Sequence, residues 1–277
     1  MISKNQIKEV KINNIKVKAI PQEKEEDISK WRGSKIFNVC YPNIFLLAKK
    51  NSGKTCTIFT ILKQTLTKNT EVIIFSSTVH KDKNMIHIVR YLKKRKIPIL
   101  TFTSLYEDGK NKLQEFYESL ENNSSDSEDS DASGEEEDAA KINKYIMVDS
   151  DSEDEDVKKK KEPVYIVIFD DLSSELKEKA VPYFMKRNRH FKALCILSSQ
   201  YLFDLAKDGR NQIDYILMFP ALPLEKVESI QKELDLNIPK KKFYEMYEKA
   251  TSEKYNFLFV DVRNGEYRKN FNTQITL

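Results

Sequence analysis

The sequence predicts an α/β fold, a mainly parallel sheet flanked by helices, and three observations carry that expectation. From Asn43 onward short apolar runs alternate with longer amphipathic stretches, the rhythm of strands buried on both faces and crossed by helices. A Gly-Lys-Thr turn, Gly53 to Thr55, stands between the first such run and the first helical stretch. Two later runs, YIVIFDD and ALCILSSQ, end abruptly in polar residues, as strands do at the carboxyl edge of an open sheet, where ligands bind.

Residues 1–40 contain KEVKINNIKVKAI, whose partial period-two alternation fits one or two short strands, followed by the charged turn PQEKEED. They are expected to form an N-terminal arm that Trp31 pins onto the core. The main domain is placed at 41–235. In it NIFLLA is a strand, Lys54 to Thr67 a helix, EVIIFSS a strand, Asp82 to Arg95 a helix and IPILTF a strand. The rhythm then stops. Residues 122–162 are dense in Ser, Asp and Glu and run into four lysines, a composition that predicts a disordered acidic insertion. The fold resumes with VYIVIFDD as a strand, Ser174 to Lys186 as a helix, ALCILSSQ as a strand, Tyr201 to Lys207 as a short helix and DYILMF as a strand. Helices near Leu224 to Leu234 and Lys241 to Lys249 follow, then a last strand, NFLFV, with 236–277 as a C-terminal helix and strand extension.

A chain of 277 residues with 40% hydrophobic content can bury one substantial core. Its longest apolar runs fall short of the roughly 20 residues a membrane-spanning helix needs. The start, MISKNQIKEVK, lacks the apolar segment of a secretory signal. No membrane span, no signal peptide and an intracellular protein are therefore expected. Cys40, Cys56 and Cys195 are isolated and lie in or beside apolar runs, which predicts buried thiols rather than disulfides or zinc ligands. The net charge of +4 hides an asymmetry: Ser124 to Asp156 hold 14 acidic residues against two lysines, so that stretch carries −12 and the remainder +16. So basic a body suits a polyanion such as nucleic acid. The alternative is the bias of a chain rich in Lys, Asn and Ile.

In AKKNSGKT, Ala48 stands where the commonest phosphate-cradling loop has its first glycine, and four residues separate it from Gly53. Such a loop turns its backbone N–H groups inward as an anion nest, with a helix N-terminus behind them. Gly53 allows close backbone approach, Lys54 reaches β and γ phosphates, and the Thr55 hydroxyl suits Mg²⁺. Ala48, Asn51, Ser52, Gly53, Lys54, Thr55 and Cys56 are the nucleotide-binding candidates. In YIVIFDD, Asp170 is placed to hold Mg²⁺ and Asp171 to orient and deprotonate an attacking water. Capping of the next helix is the alternative for Asp171, although it leaves Asp170 unexplained. Gln200, just past an apolar strand, can bind a γ-phosphate or its water; alone it reads as a loop glutamine. Arg189 and Arg210 flank that strand and are candidates to reach a neighbouring subunit's γ-phosphate, against the alternative of solvated surface arginines.

The ordered set AKKNSGKT, YIVIFDD, RNRH before a strand ending in SSQ, and GRN before DYILMF resembles the FtsK/HerA superfamily of DNA-pumping P-loop ATPases. It is most similar to the virion packaging ATPases of poxviruses, giant viruses and virophages, over roughly Asn43 to Phe219. The resemblance implies a RecA-like P-loop NTPase core of the ASCE type, with an additional strand, and ATP and Mg²⁺ as cofactors. It implies ATP hydrolysis coupled to translocation of double-stranded DNA without sequence preference, so that a viral genome is packaged into a preformed capsid. A homo-oligomeric ring, usually a hexamer, capsid portal or vertex proteins as partners, and a location in the virion and the host-cell cytoplasm (viral factory) follow from the same resemblance. Residue by residue it implies Lys54 on phosphate, Thr55 and Asp170 on Mg²⁺, Asp171 as the catalytic acid, Gln200 as the sensor, Arg189 as the trans-acting arginine and Arg210 as the second choice. Two features depart from the pattern. The acid at Asp171 is glutamate in many relatives, although aspartate is usual in the poxvirus-like branch, and the acidic insertion is foreign to the core. Of a dispensable loop, a brake on a basic pore and a phosphorylation target, the dispensable loop is favoured. Two other functions compete: a P-loop kinase of a nucleotide or other small molecule, which needs an arginine-rich lid, and a non-hydrolysing DNA-binding scaffold with a relic site.

Overall fold

A computed structural model of the chain describes residues 28–125 and 164–276. The strands expected before residue 28 lie outside the described residues. So does the acidic insertion, apart from its first residues, which close a helix.

The core sheet holds nine strands: β1 (Asn43–Leu47), β2 (Glu71–Ser76), β3 (Ile99–Phe102), β6 (Tyr165–Asp170), β7 (Ala193–Ser199), β8 (Tyr215–Met218), β9 (Leu258–Asp261), β10 (Glu266–Lys269) and β11 (Thr273–Ile275). A separate two-stranded hairpin, β4 (Tyr106–Glu107) with β5 (Lys110–Asn111), stands between β3 and the next helix. The sheet order is β11-β10-β9-β8-β1-β7-β6-β2-β3. Strands from β8 to β3 are parallel, and β9, β10 and β11 continue the sheet antiparallel. The strand β7 is thus inserted between the strand that feeds the Gly-Lys-Thr loop and the strand that ends in Asp170, the additional-strand arrangement of a RecA-like fold.

Period-two alternation decides which helices cover which face. Ile44, Leu46, Val72, Ile74, Ile166, Ile168, Leu194 and Ile196 point to a layer formed by α1 (Lys54–Thr65) and α2 (Lys83–Lys94). Phe45, Leu47, Ile73, Phe75, Val167, Phe169, Cys195 and Leu197 point to the other layer, built from α3 (Lys112–Ser125), α4 (Ala180–Arg187), α6 (Leu224–Glu233) and α7 (Lys240–Ala250). The Asp82 carboxylate caps α2 by accepting from Asn84 N and Met85 N. Trp31 is buried against the α1 face with its ring over Gly33, where a Cβ would lie 2.2 Å from the indole; only glycine fits beneath it.

Several elements differ from expectation. Ser174 to Lys186 is no single helix: a 3₁₀ turn at Glu175–Lys177 is followed by α4. Pro182 explains the break, because a continuous helix would need its missing N–H to bond Glu178 O, whereas in the first turn of α4 that N–H is not required. Tyr201 to Lys207 is likewise a 3₁₀ turn at Leu202–Asp204, and α5 (Lys207–Arg210) begins only where that stretch ends. The helix α3 was not expected. Its apolar positions Leu113, Phe116, Tyr117 and Leu120 have helical spacing, but they run straight into the acidic stretch. The polar strands β10 and β11 exist through pairing at the sheet edge. Of the three thiols, only Cys195 is buried; Cys40 is half-buried and Cys56 is exposed, on the solvent side of the first turn of α1. No described helix is long and apolar enough to cross a membrane.

Candidate active site

All the parallel strands of the core point their carboxyl ends at one edge, and the chemistry gathers there. The loop after β1 is tied to the sheet by Ala48 N donating to Ser199 O at 3.0 Å. Asn51 and Gly53 adopt left-handed conformations, φ 60° and 101°, and α1 starts at Lys54 directly behind them. Glycine is the residue that takes φ near 100° without steric cost. The first N–H groups of α1 therefore face the loop, as an anion nest requires.

The ammonium of Lys54 lies 2.9 Å from Asp170 Oδ1 and 2.5 Å from Asp171 Oδ1. Burial works against that ammonium, but the Asp170 and Asp171 carboxylates more than offset it and hold the Lys54 pKa above the ordinary lysine value. Asp170 is buried at the end of β6, between Ser76 of β2 and Ser198 of β7 in register, and the Ser198 hydroxyl donates to its Oδ1. Asp171 turns out of the strand at φ 54°, and its carbonyl accepts from Ser77 Oγ at 2.9 Å. This left-handed step is uncommon for a residue with a Cβ, and here it carries the carboxylate back towards Lys54. The capping alternative for Asp171 has no support, since the 3₁₀ turn that follows receives no side-chain cap.

A cleft of about 360 Å³ opens beside these groups, lined by Lys50, Asn51, Gly53, Lys54, Thr55, Cys56, Thr78, Lys81, Asp82, Asn84 and Asp171. Thr55 is largely buried, and its hydroxyl makes no hydrogen bond among the described residues. Among the described residues no cluster of three or more His, Cys, Asp or Glu forms a metal cage. The Thr55 hydroxyl and the Asp170 carboxylate are instead hard oxygen donors of the kind that would hold Mg²⁺ beside bound phosphates, where the ion would supply positive charge. The residues therefore fit Mg²⁺ bound together with a nucleotide.

Five candidates sit elsewhere or do other work. Ala48 is buried and packs behind the loop. The Ser52 hydroxyl donates to Lys49 O at 2.7 Å and braces the loop. Gln200 stands at the carboxyl edge of β7, but its amide has no hydrogen-bond partner among the described residues and faces an apolar recess with Leu47, Tyr201 and Leu222. Arg210 is held in place: Nε donates to Glu233 at 2.7 Å and Nη1 to Leu205 O at 2.5 Å, with 12% of the side chain exposed. Arg189 lies before β7, at the opposite, amino edge. There Arg189 Nη2 at 2.9 Å and Arg263 Nη2 at 3.4 Å share Asp214 Oδ1, beside a second cavity of about 310 Å³. Burial raises the Asp214 pKa above its ordinary value, although the Asn43 N–H and both arginines oppose the shift.

Sequence reasoning missed Ser198, Thr78, Lys81, Asp82 and Asn84 as residues of the site. Ser198 sits in the quoted SSQ, but only the pairing of β7 with β6 shows that it, rather than Gln200, touches Asp170.

No protein-family model and no curated protein matches the sequence. Among solved structures, the genome packaging NTPase B204 from Sulfolobus turreted icosahedral virus 2 in complex with AMP is similar with a TM-score of 0.47 and 18% identity, over 83% of this chain and 96% of that one. The same protein in complex with ATP-gammaS gives a TM-score of 0.45 and 19% identity over 83% and 96%. The cytoplasmic domain of the Thermomonospora curvata type VII secretion ATPase EccC gives 0.46 and 13%, over 85% of this chain and 25% of that one. A likeness of this extent describes the path of the chain and not what it binds.

Proposed function

We propose that this protein is an ATPase whose hydrolysis drives double-stranded DNA, as a viral genome-packaging motor that works as a ring. The observation that carries the ATPase part is the cluster of Lys54, Asp170 and Asp171 at the mouth of the cleft, behind a loop with left-handed Asn51 and Gly53. In this reading the nest and Lys54 bind the β and γ phosphates, and Thr55 and Asp170 hold Mg²⁺, which neutralises charge on the phosphates when bound. Asp171 takes the proton of the attacking water. A relic site would have no reason to retain Lys54 in contact with both Asp170 and Asp171 beside a cleft that Thr55 also lines.

The motor part rests on three further supports. The order of motifs resembles DNA-pumping ATPases, and the chain outside the acidic stretch carries +16. Arg189 stands at the end of β7 opposite to the cleft, roughly 20 Å away at about 3.3 Å per strand residue, so it can serve a nucleotide only on another copy of the chain. The kinase alternative is not favoured. The cations of the cleft are Lys50, Lys54 and Lys81, with no arginine-rich lid among the described residues.

The test is steady-state ATP hydrolysis with and without duplex DNA, together with particle size in the presence of an ATP analogue. DNA-stimulated hydrolysis by a ring-sized particle, abolished by Lys54→Ala, is expected. Hydrolysis unchanged in both Lys54→Ala and Asp171→Ala would overturn the mechanism.

A further inference from the structure

We propose that Tyr255 is the platform on which the nucleobase stacks, an inference that rests on the nucleotide reading above. With Lys54, Asp170 and Asp171 on the β6 side of β1, the γ-phosphate end of a nucleotide lies on that side of the loop. A nucleotide that runs from those acids along the loop places its base on the other side of β1, where β8 and β9 lie. The chain returns to the carboxyl edge there, because β9 is antiparallel to β8 and pairs its first residue, Leu258, with Met218 at the end of β8. Tyr255 sits in the loop just before β9, and its ring rests against the phosphate loop: a Cβ built on Gly53 would lie 3.2 Å from Tyr255 Cδ1 and 3.6 Å from its Cβ.

Burial in the core does not account for this tyrosine. It is 55% exposed, more than any other large hydrophobic side chain among the described residues, and its φ of 70° is unfavourable for an aromatic residue. The loop is nevertheless pinned. Asn256 Nδ2 donates to Glu253 at 2.8 Å, Asn270 Nδ2 to Asn256 Oδ1 at 2.8 Å, and Phe257 N to Asn270 Oδ1 at 3.1 Å. A strained backbone held this firmly, presenting an exposed ring beside the phosphate loop, is the pattern of a ligand contact. The Lys254 ammonium lies 4.8 Å from the ring centroid on an exposed side chain, so that ring face meets a solvated cation rather than packed protein.

Loss of one base stack on an aromatic ring is expected to weaken binding about tenfold, equivalent to about 1.4 kcal/mol. Calorimetric titration of the full chain with ATP and, separately, with inorganic tripolyphosphate tests the proposal, with thermal melts to confirm folding. Tyr255→Ala is expected to weaken ATP about tenfold and to leave tripolyphosphate within about twofold, while Tyr255→Trp keeps wild-type affinity for ATP. Equal ATP affinity in Tyr255→Ala and wild type would overturn the proposal. So would a parallel loss of ATP and tripolyphosphate, which would make the ring a mere prop for Gly53. Wild-type protein that binds neither ligand would instead overturn the nucleotide reading itself.

Discussion

The two edges of the parallel sheet carry mirror-image ion clusters. At the carboxyl edge one lysine, Lys54, is shared by two acids; at the amino edge one acid, Asp214, is shared by two arginines, Arg189 and Arg263. The first cluster carries surplus negative charge and suits a cation. The second carries surplus positive charge and suits an anion. Solvent access differs as well. Lys54 and Asp170 have 13% and 3% of their side chains exposed, whereas Arg189 and Arg263 have 47% and 55%. A buried cluster positions groups for chemistry in its own cleft, and a half-exposed one can release its arginines to a partner. Under the ring proposed above, the two clusters are the two halves of a site completed between subunits.

The largest expected effect breaks this comparison directly. Arg189→Ala should lower the turnover of the assembled protein by about 10³- to 10⁵-fold, the range for a trans-acting arginine. Mixing it with inactive Lys54→Ala should restore part of the activity. Absence of any recovery in such a mixing assay would make Arg189 a purely structural partner of Asp214. Next, Asp171→Asn should reduce kcat by about 10²- to 10⁴-fold while nucleotide affinity by calorimetry stays close to wild type, as expected for loss of a general base. An unchanged rate would assign proton removal elsewhere.

Smaller effects sharpen the contrast in burial. Ser198→Ala removes a hydrogen bond to a buried carboxylate and should cost about 1.5–3 kcal/mol in urea unfolding. Asp214→Asn should change stability at neutral pH by no more than about 1 kcal/mol, because half-exposed arginines are well solvated and Asn still accepts from Asn43 N–H. Its pH dependence has a defined sign. The folded pKa of Asp214 is raised, so its favourable contribution is complete below the ordinary value of 3.8 and is lost as pH rises through the folded pKa. Relative to Asp214→Asn, wild type should therefore gain stability as pH falls towards 3.8, measured by denaturant melts across the acid range.

Much of the site was legible because its signals are local. A loop that must cradle phosphate needs Gly53, Lys54 and Thr55 in consecutive positions, and a buried strand ending in Asp170 and Asp171 advertises its own edge. Alternation along IFLL, VIIF, IVIF and LCIL likewise fixed which residues enter which layer. Pro182 also lay in view, and weighing its missing N–H would have broken the helix drawn through it.

Sequence alone determined the class of fold, the Gly-Lys-Thr turn before α1 and the two acids at the end of β6, since each depends on bonding within a few residues. Tertiary structure alone decided the rest. Placing β7 between β1 and β6 made Ser198 the partner of Asp170 and left Gln200 without a hydrogen-bond partner among the described residues, and folding α5 against α6 locked Arg210 onto Glu233. The antiparallel return of β9 brought Tyr255 across about 200 residues of chain to Gly53. Contacts of that kind depend on strand order and register, which no short stretch of sequence encodes.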